Sequence, residues 1–126
     1  MSDPEHVQDL VHRYIRAFNQ RDYDTLMSLY ADDPVLEDPV GSEPVRGREK
    51  VRAFYESFKD QKSVLRLEGA IRISGPTAAF SFHVLMGEDA GQIVEVIDTF
   101  LFDSAGRIKE MRAFWGPANV HNMPAP

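Results

Sequence analysis

The 126 residues include no cysteine, so thiolate nucleophiles, disulfides and cysteine-based metal sites are ruled out. Acid–base chemistry falls to carboxylates, tyrosines, lysines and histidines. Asp98 stands out among the carboxylates. It lies in the segment 92–102, where alternation puts it on the face that carries Val94, Val96, Phe100 and Phe102. A carboxyl among apolar neighbours has little water. That loss penalises the anion more than the neutral acid, so the pKa rises and the group becomes a hydrogen-bond donor. Two plainer placements fit the position equally well: Asp98 turned outward, or Asp98 paired with an arginine such as Arg112 on a neighbouring strand. Asp38 follows Val35 and Leu36 and precedes Pro39. The proline biases it toward extended backbone, which suits a base mounted at a pocket edge and suits equally a turn aspartate. Tyr14, Tyr30 and Tyr55 occupy the apolar stripes of three predicted helices. Each alone reads as core packing with one satisfied hydroxyl; together they suggest a chain of phenols that fixes each donor direction. His6, His12, His83 and His121 lack the paired spacing of a metal site. His6 and His12 share a helix with Asp9, Arg13 and Arg16 and read as a solvated face, and His83 should point away from Phe80 and Phe82. No metal is expected.

The elements that must hold these groups follow from periodicity. Ser2 and Glu5 stand at capping-box spacing before a helical stripe of Val7, Leu10, Val11, Tyr14, Ile15 and Phe18. Asp22 caps a second predicted helix through Leu26, Met27 and Tyr30, ended by Asp32-Asp33-Pro34. Residues 35–39 read as a short extended piece and 40–48 as loop. A third helix spans 49–58 with Val51, Phe54, Tyr55 and Phe58 on one side. After Lys62 the period becomes 2: Leu65, Leu67, Ile71 and Ile73 alternate with polar residues, then Phe80, Phe82, Val84 and Met86 line the next strand. Residues 87–91 read as a hairpin loop, 92–102 as a strand, 103–106 as a turn and 107–115 as the last strand. Helices first and strands after predict a single α+β domain over 1–126, with helices covering one side of a mostly antiparallel sheet. In the strand from Gln92, Ile93, Ile97 and Leu101 make the second face apolar as well. A sheet apolar on both faces needs a second cover, so a homodimer is expected.

Bulk composition narrows the function. The formal net charge is -6, with 14 basic against 20 acidic residues and no Lys/Arg block, which argues against nucleic acid and anionic membrane as partners. The first residues lack the basic and apolar regions of a secretory signal, and no apolar run approaches the ~20 residues that span a bilayer. A cytoplasmic protein is expected.

Several short stretches then resemble one family. Tyr14-Ile15, Tyr30-Ala31-Asp32-Asp33, Glu37-Asp38-Pro39, Gly47-Arg48-Glu49 and Ala53-Phe54-Tyr55 are similar to bacterial ketosteroid isomerases. So are Val96-Ile97-Asp98, Phe102-Asp103, Gly106-Arg107-Ile108 and Trp115. The likeness runs collinearly from Tyr14 to Trp115. Each motif alone is common, whereas the joint placement of Tyr14, Tyr30, Asp38, Tyr55 and Asp98 is specific. The family lies within the nuclear-transport-factor-2-like and SnoaL-like superfamily. The resemblance implies a cone-shaped fold with three N-terminal helices on a curved, mixed sheet. It implies cofactor-free proton transfer in a steroid, with Asp38 as general base and Tyr14 and Asp98 as oxyanion-hole donors. It also implies Tyr55 and Tyr30 as the relay behind Tyr14, and Asp98 as a carboxylic acid kept neutral by an apolar site. Trp115 would stand beside the base. The steroid body would rest on Trp115, Phe54, Phe80, Phe82 and Phe100, with Phe18 and Val84. The 87–91 hairpin and the tail after Trp115 depart from the family pattern. Alternatives on the same fold are a polyketide cyclase, a small epoxide hydrolase, or a non-catalytic dimeric binding module.

Overall fold

Helix α1 (Pro4–Gln20) is capped by Asp3, whose side chain accepts the Glu5 N–H at 3.0 Å, with Pro4 in the first turn where a missing N–H costs nothing. Asp3 thus takes the role expected of Ser2, which lies outside the described residues. The computed structural model describes residues 3–87 and 91–122. The buried stripe of α1 is Val7, Leu10, Val11, Tyr14, Ala17 and Phe18. Both ends of the helix are pinned. His6 Nε2 lies 3.0 Å from the Gly106 carbonyl oxygen, so His6 is not simply solvated. At Gly106 φ is 79°, and a Cβ there would sit 2.9 Å from that imidazole nitrogen, so a larger residue would be strained and would displace His6. At the other end the Asn19 side chain accepts from Leu65 N at 2.8 Å and donates to Leu65 O at 3.0 Å.

Asp22 caps α2 (Tyr23–Ser28) as expected, but the helix stops two residues short of Tyr30. Tyr30 instead opens strand β1 (Tyr30–Glu37), pairing in parallel with Ile108. Pro34 therefore sits inside the strand, where the register shifts between Tyr30 and Val35 and relieves the need for its missing donor. The expected loop contains a two-residue strand, β2 (Val45–Arg46), paired with Val35 and Leu36. Helix α3 (Arg48–Glu56) starts one residue earlier than its pattern suggests. Arg48 donates to Met27 O, Tyr30 O and Ala31 O, tying α3 to the junction of α2 and β1.

Strands β3 (Ser63–Ser74), β4 (Thr77–Met86), β5 (Gln92–Phe102) and β6 (Ile108–Phe114) follow the predicted meander. Residues 88–90 of the predicted hairpin lie outside the described residues. A last strand, β7 (Val120–Asn122), was not anticipated; it pairs with the start of β5 beyond the end of β6. The sheet order is β2-β1-β6-β5-β4-β3, antiparallel except for β1 beside β6. This is the expected α+β arrangement, three helices against one side of a curved sheet. Tyr14, Phe18, Val51, Phe80, Phe100 and Phe102 belong to the buried core between the layers. On the outer face Ile97 and Phe114 stay exposed. Among the described residues no helix is long and apolar enough to cross a membrane.

Candidate active site

Asp98 sits mid-strand on β5, between Phe80 of β4 and Ala113 of β6, and is 1% exposed. Antiparallel register puts all three side chains on the inner face. Of the three placements open from sequence, the buried one is realised. Arg112 points to the opposite face and pairs with Glu37 at 3.0 Å. Asp98 Oδ1 is buried without a hydrogen-bond partner. Burial first, and the nearby Asp38 charge second, push the Asp98 carboxyl well above the usual carboxylate range.

Asp38 directly follows β1. Its turn is closed by Val40 N donating to Ala113 O at 2.8 Å and by Ser42, whose N–H and hydroxyl both donate to Pro39 O. The Asp38–Pro39 peptide is cis. Glu37 holds the turn from the other side, accepting from Arg112 Nε and from Gly41 N. Asp38 therefore stands two strands from Asp98, about 10 Å of backbone at ~4.8 Å per strand, with only the methyl of Ala113 between them on the inner face. Trp115 Nε1 donates to Asp38 Oδ1 at 2.7 Å. Burial raises the Asp38 pKa, and the Trp115 hydrogen bond pulls it back by stabilising the anion. The two carboxyls thus differ in kind. One is half-buried and receives a hydrogen bond; the other is enclosed and lacks one at Oδ1.

The three tyrosines form one chain. Tyr14 OH lies 2.9 Å from Tyr55 OH, and Tyr55 OH 2.5 Å from Tyr30 OH. The expectation that all three come from helices is corrected at Tyr30, which β1 supplies. All three phenols are raised well above the usual tyrosine range, burial being the largest cause, so they stay protonated donors. Tyr14 is held edge-on by Phe100, with ring centroids 5.1 Å apart, and by Phe80 at 6.3 Å.

These groups meet at one cavity of about 860 Å³, a volume that includes its open mouth. Tyr14, Asp38, Asp98 and Trp115 line it, as do Phe18, Phe54, Phe82 and Val84. Phe80 and Phe100, expected on the wall, are placed behind it: each is 1% exposed and packs against the Tyr14 ring. Sequence reasoning missed Phe58, Gln61, Ser63, Leu65, Met86, Val94 and Val96 as lining residues. Leu65, Met86, Val94 and Val96 share strand parity with residues already assigned inward, so that signal was available. Gln61 and Ser63 fall where α3 gives way to β3, and no period reaches them. Among the described residues no cluster of His, Asp or Glu could hold a metal ion.

A family profile described as the SnoaL-like domain matches residues 11–111. Two solved structures share the fold. The epoxide hydrolase/cyclase-like enzyme SalBIII, of pyran ring formation in polyether salinomycin, is 23% identical with a TM-score of 0.88, covering 98% of this chain and all of that one. A Mycobacterium tuberculosis protein in complex with estradiol-17beta-hemisuccinate is 23% identical with a TM-score of 0.80, covering 92% of this chain and 98% of that one. A curated relative, the steroid Delta-isomerase of Nocardioides simplex, is 41% identical over 122 residues, 94% of this chain and 97% of the relative. The chain belongs to the SnoaL-like family, on the branch that holds the ketosteroid isomerases.

Proposed function

We propose that this chain is a cofactor-independent steroid Delta-isomerase that converts Δ5-3-ketosteroids into Δ4-3-ketosteroids. The observation that carries this reading is the pair of carboxyls facing one apolar cavity in unlike settings. Asp38 is held by Trp115 Nε1 at 2.7 Å, and Asp98 is 1% exposed with a partnerless oxygen. The 41% identical steroid Delta-isomerase supports the substrate class.

In this scheme the C3 carbonyl oxygen meets the Tyr14 hydroxyl and the protonated Asp98. Asp38 removes a proton from C4; the C–H electrons form the C3–C4 double bond of a dienolate and the charge moves to oxygen. The same carboxyl returns the proton to C6, the double bond settles between C4 and C5, and the carbonyl reforms. Nothing is gained or lost. Proton transfer by a placed base contributes roughly 10²–10⁴-fold, and each donor to the developing oxyanion about 10²–10³-fold. In this scheme Tyr30 donates to Tyr55 and Tyr55 donates to Tyr14, which leaves the Tyr14 proton aimed outward. Trp115, Phe54, Phe82, Phe18 and Val84 would carry the steroid body, with Phe80 and Phe100 supporting the Tyr14 ring.

An epoxide hydrolase of this fold would join an acid and a base carboxylate through an arginine. No arginine is among the described residues that line the cavity, and Arg112 is engaged with Glu37 on the other face. We also infer a homodimer through the outer sheet face, where Ile97 is 47% and Phe114 41% exposed.

Mixing the protein with a Δ5-3-ketosteroid should raise the ultraviolet band of the conjugated enone. Asp38→Asn should lower the rate on the order of 10²–10⁴-fold while steroid binding persists. Near-normal turnover in Asp38→Asn would remove Asp38 as the base.

A further inference from the structure

The cavity has a second polar end. From the level of Asp98, opposite Phe80, to the level of Ser63, opposite Met86, strand β4 advances six residues, about 20 Å at ~3.3 Å per residue. Ser63 is 3% exposed yet lines the cavity there, among Phe58, Leu65 and Met86. Its Oγ lies 3.2 Å from Arg21 Nη2. A guanidinium has donors only, so Ser63 Oγ must accept from it and the hydroxyl proton is left to point elsewhere. Among the described residues that proton has no acceptor. Arg21 is itself fixed: its backbone is left-handed at φ 56°, its guanidinium donates to Phe18 O at 3.0 Å and to Gln61 O at 2.5 Å, and it lies over the Phe18 ring at 5.0 Å. The hydroxyl is therefore left free to donate beside the apolar side chains of Phe58, Leu65 and Met86.

We propose that Ser63, oriented by Arg21, is a subsite for an acceptor oxygen at the end of the substrate remote from the reacting carbonyl. This rests on the isomerase reading and adds the chemistry of the substrate's far end. A carbonyl oxygen suits the site, because it needs one donor and brings no proton. Gln61, which also lines the cavity, is exposed.

The test uses two Δ5-3-ketosteroids that differ only by an oxo group on the side chain carried by the D ring, with wild type, Ser63→Ala and Ser63→Thr. The wild type should favour the oxo-bearing steroid about tenfold in kcat/KM, the scale of one neutral hydrogen bond, with the difference in KM. Ser63→Ala should bring the ratio close to one, and Ser63→Thr should retain it. Each ratio is internal to one preparation, so partial loss of folded protein cancels. A wild-type ratio near one, or an undiminished ratio in Ser63→Ala, overturns the subsite. If the wild type turns over neither steroid, the isomerase reading fails instead, and the same ratio read as Kd from Trp115 fluorescence decides the subsite alone.

Discussion

At the scale of single residues, Asp98 in its proposed role sets stability against activity. Its folded-state pKa is raised by burial, so between the unfolded and folded values the native protein holds a proton that the unfolded chain has released. Stability therefore falls as pH rises through that window. Asp98→Asn removes the titration. The variant should lose about 10²–10³-fold in turnover. It should nevertheless be more stable than wild type in neutral and mildly alkaline solution, with the gap closing in acid below the unfolded carboxyl pKa of about 3.9. Thermal denaturation across pH reads this directly, and a variant less stable than wild type in mild alkali would contradict it. The inward position of Asp98 was legible because strand alternation assigns faces. Whether Arg112 shared that face was not, since it depends on register: Arg112 stands opposite Thr99, and Ala113 opposite Asp98. Trp115 beside Asp38 was legible only through family likeness, because residues 77 positions apart carry no local signal of contact.

At the scale of elements, the proposed mechanism requires the turn after β1 to hold Asp38 steady while it serves two carbons. Glu37 is the clamp, joining Gly41 N in the turn to Arg112 on β6. These hydrogen bonds, Arg112 first, lower the Glu37 pKa. Its hold is thus complete above the ordinary carboxyl pKa and is lost as pH falls through the lowered one. Glu37→Ala should cut kcat on the order of tenfold with little change in KM, because misplacing a reacting group costs rate more than binding. Glu37→Gln, which keeps an acceptor for Gly41 N, should recover much of the loss. Equal changes in kcat and KM would show that Glu37 serves binding instead. Long, strongly periodic elements such as α1, β4 and β5 were legible in the chain. Tyr30 was misassigned because a six-residue helix and the strand that follows it present the same few apolar positions. The two-residue β2 and three-residue β7 are too short to show any period and exist only through their partners, β1 and β5.

At the scale of the whole molecule, one sheet has two jobs. Its inner face carries the cavity. Its outer face leaves Ile97 and Phe114 uncovered beside charged residues such as Arg66, Glu68, Glu95 and Arg112. Sedimentation should give twice the chain mass of 14.3 kDa. Phe114→Glu, far from the carboxyls' face, should shift the protein toward monomer, since a charge desolvated in an interface is costly; an unchanged monomeric mass in both proteins would end the dimer proposal.

The central claim is that two aspartates facing one cavity hold opposite protonation states. Carbon-13 spectra of protein labelled at the aspartate carboxyl carbons test it, with Asp38→Asn and Asp98→Asn to assign the two signals. Near neutrality, the Asp98 carbon should resonate as a protonated acid and the Asp38 carbon as a carboxylate. If both signals are those of carboxylates there, the account is wrong.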